Sequence, residues 1–137
     1  MAFADRNNQN LQFRETLSAD ATRVIARADG ISRIVGVDVF NASNLATSAT
    51  NYVTFKLINM GTDASGTTVI AAASTSQTGG SAMTANVAFP LTVVSAAAEV
   101  ADGSALGIIY DESTTDVANS HDISVVVKYK QVGAPSA

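Results

Sequence analysis

The chain has 137 residues, a net charge of −4 and no cysteine, so it reads as one domain that builds its core without disulfides or thiolate chemistry. Charged residues make up 15% of it, well below the roughly 25% of ordinary soluble domains. The acidic balance argues against a nucleic-acid binder, which needs a basic stripe to neutralise phosphates, and no apolar run approaches the ~18 residues of a membrane span.

Ser, Thr, Asn and Ala stand where charges normally would, and a surface of this kind is either unusually neutral or largely covered by neighbouring copies, the second being the favoured reading. The charges that remain are unevenly divided. The first 33 residues hold all five arginines (Arg6, Arg14, Arg23, Arg27, Arg33) against four acids, whereas from Ile34 onward three lysines face eight acids. The two parts of the chain are therefore expected to meet different surroundings.

Residues 1–10, MAFADRNNQN, form a polar arm with Phe3 as its large apolar group. They lack the apolar stretch of a secretory signal and read as a mature cytoplasmic start. Residues 11–17 alternate Leu11, Phe13, Glu15 and Leu17 against Gln12, Arg14 and Thr16, which predicts a first strand. We take residues 1–20 as an extended N-terminal arm with that strand, and residues 21–137 as a β-sandwich domain. Residues 19–28 are ambiguous, because alanines and arginines suit a helix while Thr22, Val24 and Ile25 suit a strand. A strand or extended segment ending at the Asp29-Gly30 turn is the favoured reading.

Residues 31–40 predict a strand with Val35, Val37 and Val39 on one side and Ile34, Gly36, Asp38 and Phe40 on the other. Gly36 marks a bulge or a close backbone approach. After a loop at 41–50, residues 51–60 predict a strand with Val53, Phe55 and Leu57 inward and Thr54 and Lys56 outward. The turn GTDASG (61–66) and a short strand at 67–73 complete a hairpin. STSQTGGS (74–81) reads as a flexible connection, too polar and glycine-rich for a core.

Three apolar runs follow, at 87–94, 105–110 and 123–129. Pro90 cannot donate to a ladder, so the first of them is expected at an edge or at a bulge. In the last, Ile123, Val125, Val127 and Tyr129 oppose Ser124, Val126, Lys128 and Lys130, the period-two mark of a half-buried antiparallel strand. Tyr52, Tyr110 and Tyr129 fit strand borders. Seven to nine strands with frequent turn signals predict an all-β chain, a single-domain antiparallel β-sandwich of jelly-roll-like form.

The inventory holds little chemistry. Ser120-His121-Asp122 are consecutive, and consecutive residues cannot converge as a nucleophile, base and orienting acid must. The loop 111–116 is rich in carboxylates and hydroxyls but lacks EF-hand spacing and its turn glycine, so it reads as solvated rather than calcium-binding. Gly79-Gly80 has no following lysine, and the absence of Trp argues against a carbohydrate platform. No catalytic, cofactor or metal residue is expected. The arginines are left, either as docking groups for an acidic partner or a neighbouring copy, or as solvated strand-face charges.

The length, the polar arm, the lack of Cys and Trp, the Ala/Thr/Ser/Val-rich strands, the phrase AFPLTVVSAAAEVADGSALGIIYD and the terminal DISVVVKY strand resemble the small capsid decoration, or cement, proteins of tailed bacteriophages. The resemblance covers residues 31–132 and the arm. It implies an all-β jelly roll or tulip-like sandwich without enzymatic activity. It also implies homotrimers on the capsid exterior of the virion, assembled in the host cytoplasm, with arms reaching onto the major capsid protein. Phe3, Arg6 and Arg14 are then the expected docking residues, Phe13 packs where the arm meets the body, and residues 91–98 are a candidate trimer face. Neither nucleic acid nor membrane is an expected partner. Another virion part (head fibre base, tail or spike protein) and a carbohydrate-binding or adhesin module are the alternatives.

Overall fold

A computed structural model describes residues 9–17, 20–113 and 121–133. Period-two alternation becomes nine strands: β1 (Gln9–Leu17), β2 (Ala21–Arg27), β3 (Ser32–Asn41), β4 (Val53–Gly61), β5 (Thr68–Ser74), β6 (Phe89–Val93), β7 (Glu99–Val100), β8 (Ala105–Glu112) and β9 (His121–Gln131). All pairings between these strands are antiparallel. The ambiguous segment after the first strand is β2, held along its length by β8.

The two-residue β7 adds to β3, and the other strands run in the order β1-β9-β3-β6-β5-β4-β8-β2. They divide into a first layer, β1-β9-β3-β6, and a second, β5-β4-β8-β2. This is the order of a jelly roll. β6 joins the layers, since Phe89, Pro90 and Leu91 pair with β3 while Thr92 and Val93 pair with β5. At the other side, β1 and β2 do not pair among the described residues, which leaves a seam.

The inward residues of both layers make one core. Val53, Phe55 and Leu57 of β4 face Val37 and Val39 of β3 and Ile123, Val125 and Val127 of β9, all within one buried cluster. Phe55 is at its aromatic centre, edge-on to Tyr110 at 5.6 Å and to Phe89 at 6.3 Å between ring centroids. Such pairs contribute beyond the area they bury. β9 lies between β1 and β3 and presents Lys128 and Lys130 outward, as its alternation requires.

Four sequence expectations need correction. Val35 does not share a face with Val37 and Val39. The register against β9 slips between Ile34 and Gly36, so Val35 is the extra residue of a bulge and is 48% exposed, while Ile34 turns inward. Pro90 is not on an edge strand, since β6 is interior to the strand order. However, β6 is paired on one side only where Pro90 sits, so no ladder bond to β5 is lost there.

The segment after β5 is not a loose connection. Thr75 is fully buried, its Oγ1 accepts the Val53 N–H at 3.0 Å, and its own N–H donates to the Val53 carbonyl at 2.9 Å. Finally, Tyr110 is a core residue, 1% exposed, rather than a border one.

Burial pushes the Tyr110 phenol above its ordinary pKa, and the nearby Glu112 carboxylate adds to the shift. The fold therefore favours the neutral phenol. Its contribution is complete below the unfolded-state value of about 10 and is lost as pH rises from there toward the folded-state value. The urea midpoint is expected to fall between about pH 9.5 and 11.5, and to fall less steeply in Tyr110→Phe. Equal slopes in the two proteins would assign the alkaline loss to other groups.

Candidate functional site

The expected docking residues have different fates. Phe3 and Arg6 lie outside the described residues. Phe13, an inward position of β1, is partly buried and packs against the core cluster. Arg14, the next residue, points outward and meets Asp122 of β9. Its Nε donates to Asp122 Oδ1 at 3.1 Å and its Nη2 to Oδ2 at 2.5 Å. This two-pronged bond holds the Asp122 carboxyl below the usual carboxylate range and raises the Arg14 guanidinium further. The partners are 108 residues apart in the chain.

Asp122 is also the acid of the Ser120-His121-Asp122 run, and its carboxylate is engaged by Arg14 instead. Ser120 and the His121 side chain lie outside the described residues. Of the acidic loop 111–116, residues 114–116 lie outside them too. Glu112 is buried, and its backbone N–H donates to Asp20 Oδ1 at 2.8 Å. Among the described residues, no three His, Cys, Asp or Glu side chains are grouped closely enough to hold a metal ion.

The outer faces of the two layers differ in chemistry. On the first, Arg14 pairs with Asp122, Lys128 with Asp38 at 2.9 Å, and Arg33 with Glu99 at 4.0 Å. The arginine side chains of these pairs are exposed, so the pairs contribute little to stability. They do keep a layer with several cations close to neutral.

On the second layer, arginines satisfy carbonyls. Arg27 Nη1 donates to the Thr62 oxygen at 3.1 Å and to the Gly103 oxygen at 3.0 Å. Among the described residues, Val24 is the exposed large apolar side chain of these strands, while Ile58 is buried. Val24, 53% exposed, registers with Gly107. A Cβ on Gly107 would lie 2.6 Å from Met60 Sδ and 3.3 Å from Ile58 Cγ1, so the glycine lets both side chains lie over β8.

Two hollows bear on function. One, about 90 Å³, lies near the seam and is lined mainly by Leu11, Ala28, Ile34, Leu106 and Tyr129. The other, about 140 Å³, is on the first layer's outer face, beside the Arg14–Asp122 pair. Of residues 91–98, the suggested trimer face, Leu91 and Ala98 are core residues at 5% and 2% exposure, which leaves Val94 as its exposed large apolar side chain. The arginine pairing and the second hollow escaped sequence reasoning because both depend on β1, β9 and β3 lying side by side.

No protein-family model matches the chain, and no curated protein does. Among solved structures it is similar to a chain of the cyanophage Pam1 capsid asymmetric unit, with a TM-score of 0.51 and 15% identity. The similarity covers 90% of this chain and 84% of that one. At this identity the two share a fold, and the shared part is the jelly roll as a whole rather than one hairpin of it.

Proposed function

We propose that the chain is a non-enzymatic structural protein of a bacteriophage virion, decorating the capsid exterior by binding the major capsid protein as a homotrimer. The observation that carries this reading is the jelly roll held in common, over nearly the whole chain, with a capsid chain of a cyanophage. The composition supports it, because a surface poor in charge and rich in Ser, Thr and Ala suits lasting coverage by neighbours.

In this reading the protein stabilises a shell by bridging adjacent subunits and adding buried area at their seams. Three linked copies turn modest contacts into tight attachment through effective concentration. Phe3 and Arg6 reach the capsid protein, while Phe13 anchors β1 to the body behind them. Arg14 contributes as an Arg14–Asp122 pair rather than as a lone cation, so Arg6→Ala is expected to weaken attachment more than Arg14→Ala. The test is gradient sedimentation of a phage lysate containing the untagged protein, followed by imaging. Co-migration with DNA-filled particles, and its loss in Phe3→Ala/Arg6→Ala with the fold intact, are the expected results. Recovery only at the mass of a monomer or trimer would overturn the proposal.

A further inference from the structure

On the outer face of the first layer, Arg14, Ser124 and Phe40 register side by side across β1, β9 and β3. Adjacent strands lie about 4.8 Å apart, so the small Ser124 leaves a trough between two large side chains. Asp122, on the same face of β9, turns its carboxylate to Arg14 and so lies along that wall. Asn86 lines the trough from the loop before β6. It has a φ of 61°, a left-handed conformation that asparagine tolerates better than most residues, and its backbone N–H donates to the Asn41 oxygen at 2.8 Å. The hollow is about 140 Å³.

We propose that this trough binds a single neutral sugar ring. Four features converge on that ligand class. Arg14 and Asp122 cancel in charge, so an anion would meet the carboxylate and a cation the guanidinium, while an uncharged ligand meets neither penalty. The walls offer donors from Arg14, acceptors from Asp122, and groups that do both in Ser124 and Asn86. A ring bearing neighbouring hydroxyls needs that mixture, because each hydroxyl donates one hydrogen bond and accepts others.

Phe40 is partly exposed and supplies an apolar wall for the C–H face of a ring. The hollow, about 140 Å³, has room for one six-membered ring. Arg14, Ser124, Asp122 and Phe40 are all fixed on paired strands, which limits the ordering cost of binding. This inference does not depend on the capsid reading.

The test is saturation-transfer NMR on the full chain with the methyl glycosides of glucose, galactose, mannose and N-acetylglucosamine at millimolar concentration. Transfer to the ring protons of at least one is expected. Phe40→Leu keeps the apolar bulk and removes the aromatic face, and is expected to weaken binding about three- to tenfold. Ser124→Trp fills the trough and is expected to abolish binding, with the amide spectrum unchanged away from β1, β9 and β3. Silence from all four glycosides, undiminished binding by Ser124→Trp, or displacement of the sugar by inorganic phosphate would each overturn the proposal.

Discussion

Phe55→Ala is expected to lose about 3–5 kcal/mol of folding free energy, the range for deleting a buried phenyl ring. Phe55, the third residue of β4, is fully buried between β5 and β8, and its ring is the meeting point of Tyr110 and Phe89. Truncation removes both edge-on contacts and leaves a cavity that strands paired on both sides cannot collapse to fill. Domains of this size are stable by only about 5–15 kcal/mol, so the loss is a large share of the total. Urea denaturation of the variant beside Phe55→Leu, expected to cost less because more of the volume is kept, provides the check. A cost below about 1 kcal/mol for the alanine variant would mean that the ring is not where the two layers meet.

Gly80→Ala is the second large effect, expected at about 1–3 kcal/mol, and arises in a stretch that looks inert in sequence. A Cβ at Gly80 would lie 2.4 Å from the backbone oxygens of Ser74 and Ser76 and 2.7 Å from the Ser76 nitrogen. These are main-chain atoms, so no rotamer change relieves the clash. They also belong to a tied segment. The Ser81 N–H donates to the Ser74 oxygen at 3.1 Å, and the Gln77 N–H to the Ser48 oxygen at 2.8 Å. Gly79 is the internal control: a Cβ there meets nothing within 4 Å, but its φ is 78°. Gly79→Asn, which tolerates that conformation, is expected to be nearly neutral. Thermal unfolding of the two variants separates a shortage of space from a constraint on backbone angle; equal costs would defeat the argument.

The strands were legible where one face meets the core and the other meets solvent. β9 and β4 alternate so regularly that Ile123, Val125, Val127 and Val53, Phe55, Leu57 could be assigned inward from residue type alone. What stayed hidden depends on partners distant in the chain. Val35 looks like Val37 and Val39 until β9 supplies the register that makes it the odd residue. Pro90 reads as an edge residue because sequence cannot show a strand that changes partners halfway along. Tyr110 resembles Tyr129 in its local context, yet only Tyr110 lies opposite Phe55. Thr75 is polar in a polar run, and its burial follows from the two hydrogen bonds it exchanges with Val53.

The expected docking residues show the same division. Alternation puts Phe13 on the same face of β1 as Leu11, and both pack against the core cluster. Arg14 carried no sign of Asp122, since an ion pair across 108 residues leaves no trace in local spacing. Ser124, which lines the second hollow, likewise acquires meaning only beside its cross-strand neighbours Arg14 and Phe40.

The bulge in β3 has a consequence for how the chain's length can drift. Ile34 and Gly36 oppose Tyr129 and Lys128, which are themselves consecutive, so β3 carries one residue more than its partner calls for. Loss of a codon within a strand ordinarily turns every side chain on one flank to the wrong face. Removal of Val35 instead leaves Ser32, Ile34, Val37 and Val39 all facing the core and Arg33 facing solvent. At this one place in β3 the gene can shorten by a triplet without scrambling the interior, so related chains are free to differ in length there while sharing the same buried residues.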